Sequence, residues 1–303
     1  MFKRILCPVD LSTTSVHALD QAIAIARWYK TSVTVLHAYE SIFMPVPGLP
    51  VPNDRVPEAE MARVRGEVMT LCRPAADAGV PVEVIIDAGH PAVCILDFAA
   101  ALPADLIVMG THGAGGFERL VLGSVAEKVL RKANCAVLTV PPHAIRTSAL
   151  PFKRVLCAVD FSPCSLRALA LARSLAFESG AALTAVSVIE WPWDEPPPPV
   201  FTELPAAQAS ALADYHRYVE TSAMQRLAAL GGEPTNAGVP FDPRISHGKS
   251  HVEILRTATD VGADLIVIGV HGRNALDLGV FGSTANQVVR QATCPVLTLR
   301  SAN

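Results

Sequence analysis

The chain has 303 residues, half of them hydrophobic and 17% charged, with a net charge of −3 from 25 basic and 28 acidic side chains. That length fits two domains of about 150 residues each, and the charge balance leaves no basic excess with which to hold a nucleic-acid backbone. Asp97 and Asp105 interrupt the longest apolar stretches, so no run of about 20 apolar residues is available to span a membrane.

Met1-Phe2-Lys3-Arg4 leads straight into a strand pattern, without the apolar centre of a signal peptide. Arg4–Val9 is a short β-rich run. Ser15–Lys30 places Ala18, Ala22, Ile25 and Ala26 on one helical face. A second strand is expected at Val33–Tyr39 and a helix within Pro57–Ala78. The intervening Ile42–Pro57 is proline-rich and excluded from helix or interior strand. Val82–Ile86 is the third strand, and Pro91–Leu102 holds the next helix. Asp105–Gly110 is a continuous apolar strand, as expected where both faces of a parallel sheet are covered. Ser124–Lys132 is a helix and Ala136–Val140 a fifth strand. Pro141–Pro151 has no apolar period and reads as a boundary.

The same order then repeats from Arg154 to Leu299. Phe2–Ser12 and Phe152–Ser162 agree at eight of eleven positions, 150 residues apart. Ala104–Gly113 and Ala263–Gly272 agree at eight of ten, 159 residues apart. Cys135–Val140 returns as Cys294–Leu299. The chain is therefore a duplication of one α/β unit, and strands joined by helices imply largely parallel sheets with right-handed crossovers. The second copy has its own proline-rich segment, Trp191–Pro205. Both proline segments read as exposed loops, with a flap over a pocket or a partner-docking segment as the alternative. Seven cysteines, several in apolar strands and none in a C-x-x-C pair, point to reduced thiols in a cytoplasmic protein.

One motif carries chemistry. Gly110-Thr111-His112-Gly113 is followed, nine residues on, by Gly123-Ser124; Gly269-Val270-His271-Gly272 is followed at the same spacing by Gly282-Ser283. Glycines let a backbone approach a ligand closely, and a helix opening at Gly-Ser turns its free amides and dipole toward an anion. Asp10 and Asp160 stand at the tips of the matching first strands. There a carboxylate either accepts hydrogen bonds from a ribose or caps the next helix; Ser12 and Ser162 are the better caps, which leaves the ribose role open. No G-x-G-x-x-G follows a first strand, and Gly248-Lys249-Ser250 lacks the earlier glycine of a P-loop because position 243 is proline. His112 and His271 lie in the loops, near phosphate or facing solvent. His247 and His251 have the spacing of a metal pair, but the first copy has no counterpart and no metal is assigned.

These residues resemble the universal stress protein family in its tandem, ATP-binding form. The resemblance covers nearly the whole chain and implies two domains, 1–142 and 151–303, each a five-stranded parallel sheet of order 3-2-1-4-5. It implies ATP or a related adenine nucleotide as ligand. Asp10 would contact the ribose region, backbone at Ala38 would read adenine, and Gly110 would lie beside the ribose. Gly113, Gly123, Ser124 and Val125 would hold the phosphates. In the second copy these roles fall to Asp160, Val188, Gly269, Gly272, Gly282, Ser283 and Thr284. The loop interiors differ: the first holds Gly115, Gly116 and Arg119, the second Arg273 and Asp277. An acid near a triphosphate is unfavourable unless it binds Mg²⁺ or faces solvent, so the second site is expected to be the weaker. The family pairs through fifth strands, which here implies an intramolecular pseudo-dimer, with a further homodimer open. No catalytic residue is assigned. The expected function is a nucleotide-dependent stress-response or signalling switch, with a slow ATPase or adenylyl-transfer enzyme as the alternative.

Overall fold

The computed structural model describes residues 2–39, 58–111, 122–142, 150–191, 206–232, 238–271 and 281–300. The chain divides into two compact units, Met1–Leu150 with Thr293–Asn303, and Pro151–Ala292.

Unit 1 begins with β1 (Arg4–Pro8), α1 (Thr13–Tyr29) and β2 (Ser32–Tyr39), and continues through α2 (Glu58–Leu71), α3 (Arg73–Asp77) and β3 (Val82–Ala88). It then runs through α4 (Pro91–Ala101), β4 (Leu106–Gly110), α5 (Ser124–Lys132) and β5 (Ala136–Val140). The five strands lie in the order β3-β2-β1-β4-β5, all parallel. A further strand of this unit, β10 (Val296–Leu299), runs antiparallel to β5 with Val296 opposite Thr139. Unit 2 contains β6 (Arg154–Ala158), α6 (Pro163–Ser179), β7 (Ala182–Ile189), α7 (Ala206–Gly231), β8 (Phe241–His247), α8 (Ser250–Val261), β9 (Leu265–Gly269) and α9 (Ser283–Gln291). Its strand order is β8-β7-β6-β9, again parallel. The reversal of direction after β3 and after β8 leaves β1 beside β4 and β6 beside β9, the place where an open α/β sheet has its crevice.

The helical segment after the second strand differs between the two units. The stretch within Pro57–Ala78 forms two helices, broken at Cys72, because Pro74, in the first turn of α3, cannot supply an amide hydrogen to α2. The matching α7 has no proline and runs for 26 residues. The core follows the apolar runs: Leu106, Ile107 and Val108 in β4 and Leu265, Ile266 and Val267 in β9 are fully buried, each such side chain contributing about 1.5–3 kcal/mol of transfer free energy. Asp105 ties the start of β4 to β1 by accepting from the Lys3 and Arg4 amides at 2.8 and 3.2 Å. Asp264 repeats this with Lys153 and Arg154 at 2.7 and 3.0 Å. All seven cysteines are free thiols. Burial pushes Cys7 and Cys157, in β1 and β6, far up, and Cys135 up to about 11.

Candidate functional site

Each β1-type strand ends in the same hydrogen-bonded turn. Asp10 Oδ1 accepts from the Ser12 amide at 3.1 Å and from its hydroxyl at 2.5 Å. Ser12 Oγ accepts from the Ser15 amide at 3.2 Å, capping α1. Ser15 Oγ donates to the Ser12 carbonyl at 2.9 Å and accepts from the Asp10 amide at 3.3 Å. In unit 2, Asp160 Oδ1 accepts from the Ser162 amide at 3.0 Å, and Ser162 caps α6 through the Ser165 amide at 3.2 Å. Ser165 closes that turn on the Ser162 carbonyl and the Asp160 amide at 3.1 and 3.3 Å. The serines are the caps, as expected, and the aspartates order the turn that presents them. The second hydroxyl, Ser15 or Ser165, was not singled out by sequence; its signal is D-x-S-x-x-S in both copies. The turn forces Leu11 and Phe161 into the left-handed region, each at φ 64°, where a side chain costs about 1–2 kcal/mol.

Gly110 and Gly269 end β4 and β9 against the first turn of α1 and α6. A Cβ at 110 would meet Thr14 Cγ2 at 2.8 Å and the Thr14 carbonyl carbon at 3.3 Å. One at 269 would meet Cys164 Sγ at 2.9 Å, with backbone of Cys164 and Ser165 at 3.1 Å. Glycine is thus required by packing here, and this close approach sets the strand tip beside the aspartate turn. Thr111 then donates to the Val140 carbonyl at 3.2 Å, and the Gly123 amide returns to the Thr111 carbonyl at 2.9 Å. The Gly282 amide donates to the Val270 carbonyl at 2.9 Å in the same way. Those hydrogen bonds pin both ends of each glycine loop at one point. Gly113 and Gly272, with Asp277 and both proline segments from 42 to 57 and from 192 to 205, lie outside the described residues.

Gly123 and Gly282 are the N-caps of α5 and α9, and neither cap has a side-chain acceptor for the first-turn amides. Ser124 and Ser283 are exposed and Val125 and Thr284 half-buried, the same pattern in both units. A helix that opens on glycine leaves its N–H groups and the positive end of its dipole for an external anion. Ala38 and Val188, in register with Asp87 and Ser246, are half-buried at the tips of β2 and β7. His112 lies outside the described residues, whereas His271 is buried, at 5% exposure, and its carbonyl accepts from Ser162 Oγ at 3.5 Å. It is therefore not a solvent-facing turn residue. His247 stands 3.9 Å from Glu220, and no group of three His, Cys, Asp or Glu side chains among the described residues is placed to hold a metal ion.

An open, mostly parallel sheet with helices between its strands and a reversal of strand order at its centre defines a class, the doubly wound α/β proteins. Comparison with known proteins narrows the class. The profile of the universal stress protein family matches residues 1–141 and 151–300, and the chain belongs to that family. It is 36% identical over 142 residues to a universal stress protein of Methanocaldococcus jannaschii, covering 46% of this chain and 82% of that one. A universal stress protein of Mycolicibacterium smegmatis is similar over the full length, 28% identical across 98% of this chain and 96% of its own. The crystal structure of a universal stress protein from Archaeoglobus fulgidus has the same fold, with a TM-score of 0.70, 24% identity, and coverage of 99% and 97%. No helix among the described residues is long and apolar enough to cross a membrane.

Proposed function

We propose that this universal stress protein is a cytoplasmic adenine-nucleotide-binding switch of the stress response, with one nucleotide site in each of two domains, 1–142 and 151–303. The observation that carries the reading is the repeated pairing of an aspartate turn with an uncapped helix start across one strand-tip crevice. Asp10 and Asp160 take the ribose, backbone at Ala38 and Val188 reads the base, and Gly110 and Gly269 leave room beside the sugar. Gly113, Gly123, Ser124 and Val125 hold the phosphates, with Gly272, Gly282, Ser283 and Thr284 as their counterparts; ATP, accompanied by Mg²⁺, is the ligand that uses the most of these groups. The antiparallel β5–β10 register supports pairing of the two repeats through their fifth strands.

The test is mass spectrometry of small molecules released from denatured, freshly purified protein, followed by turnover assays with Mg²⁺. Retained adenine nucleotide that is not consumed supports the switch. Turnover abolished by Asp10→Ala supports the enzyme instead. Protein that neither retains nor binds adenine nucleotide overturns the reading.

A further inference from the structure

Leu11, the residue after Asp10, faces α2 across a groove of about 470 Å³ lined by Leu11, Arg63, Gly66, Glu67, Thr70 and Leu71. This volume lies within the roughly 300–1,000 Å³ typical of small-molecule sites. Gly66 is inside a helix, where glycine costs about 0.5–1 kcal/mol relative to alanine. Nothing in the packing calls for it, because a Cβ there would meet no atom within 4 Å, and its backbone is not left-handed. The effect of this glycine is to remove a side chain from the groove wall.

The polar groups around the groove are already engaged with each other. Arg63 binds Glu60 at 2.6 Å and Glu67 at 2.5 Å, and the Thr70 hydroxyl donates to the Gly66 carbonyl at 2.8 Å. Two carboxylates against one guanidinium disfavour an anion, and a cation would have to displace Arg63. What remains for a ligand is carbon surface.

Unit 2 fills the same place. Its counterparts of Leu11, Gly66 and Glu67 are Phe161, Gln225 and Arg226, a correspondence anchored by the fully buried Val68 and Leu227. Phe161 has the same φ of 64° as Leu11, and the Arg226 guanidinium carbon lies 4.1 Å from its ring centroid. A larger ring and a stacked cation thus occupy the position that is open in unit 1.

We propose that the Leu11–α2 groove is a binding site for an uncharged, mainly apolar small molecule of two or three rings, separate from the nucleotide and confined to unit 1. The site does not depend on nucleotide binding. N-phenyl-1-naphthylamine, an uncharged dye that brightens in apolar surroundings, serves as the probe on the full chain. Saturable binding of one dye per chain is expected. Replacing Leu11→Phe and Gly66→Gln together installs the side chains that unit 2 carries, and should weaken binding at least tenfold. Should that pair fail to fold, Gly66→Gln alone gives the same reading. Amide exchange over Glu58–Leu71 should slow when dye saturates the wild-type protein. Absence of saturable binding, binding unchanged by the substitutions, or unaltered exchange in α2 would each overturn the proposal.

Discussion

At the tips of β1 and β6 the same four backbone-positioning hydrogen bonds recur at nearly equal lengths, yet the side chains around them have parted. Ser12 is half-buried and Ser162 buried. Glu127 stands in the first turn of α5, where α9 has Asn286. Pro91 opens α4, where α8 opens on Ser250, whose amide donates to Glu190 Oε1 at 2.5 Å. Proline has no amide hydrogen, so unit 1 has nothing to cap there, while unit 2 draws in a carboxylate from the end of β7. The backbone frame of the site is held by contacts within a few residues and by glycine packing, and it tolerates divergence everywhere else. The helix starts carry a charge difference of their own: Glu127 disfavours an anion at the start of α5, where α9 has the neutral Asn286.

The comparison breaks most visibly at the glycines. Gly282→Ala drives a Cβ to 2.7 Å from the Val270 carbonyl oxygen, Gly269→Ala to 3.1 Å from the backbone of Cys164 and Ser165, and Gly110→Ala to 2.8 Å from the Thr14 methyl but no closer than 3.3 Å to its backbone. Overpacking of this kind costs roughly 1–3 kcal/mol, occasionally more. Chemical denaturation should therefore rank the losses as Gly282→Ala, then Gly269→Ala, then Gly110→Ala; an equal loss at all three would mean that the two units share one backbone tolerance. A smaller effect should come from exchanging the charges at the helix starts. A charge beside a helix end is worth about 0.3–1 kcal/mol, so Glu127→Asn should tighten ATP binding to unit 1 by roughly two- to fivefold. Asn286→Glu should loosen unit 2 by as much, as isothermal titration with the other site disabled would read. If neither change moves affinity, the phosphates do not lie at these helix starts.

The smallest effect is a matter of pH. Hydrogen bonds from Ser250 hold Glu190 below the usual value of 4.5. A carboxylate depressed in the folded state stabilises it fully above the unfolded value and loses that contribution as pH falls through the folded one. Hydrogen exchange at the Ser250 amide should accelerate as pH drops below about 4.5, relative to its intrinsic rate. Glu190→Gln should show the faster exchange at neutral pH and no such transition, and α4 should show none in any variant. Equal behaviour of α4 and α8 would remove the distinction between their caps.

Much of this was legible in the chain itself. The helix at Ser124–Lys132 and the strand at Ala136–Val140 fall where their patterns put them, because Gly-Ser starts and apolar runs are short-range signals. The serine caps were legible for the same reason. Other features depend on distant partners. Nothing local marks Gly110 as a packing glycine until Thr14 is brought against it, and Glu190 reaches a helix 60 residues away. Leu11 and Phe161 carry no mark of left-handed backbone, since sequence reserves that region for glycine or asparagine. Gly113 and Gly272 lie outside the described residues, so the centre of the glycine motif is the part that ligand binding must test.

In unit 1, the Thr139 hydroxyl donates to the Val296 carbonyl at 3.2 Å, and the Thr298 hydroxyl returns the contact to Val137 at 3.1 Å, spanning 157 and 161 residues of chain. During synthesis, β5 leaves the ribosome long before its partner β10 exists. Until the whole of unit 2 has been translated, the nascent first domain carries an open, apolar strand edge of the kind that templates aggregation. That edge is therefore uncovered for the time it takes to translate the residues between β5 and β10.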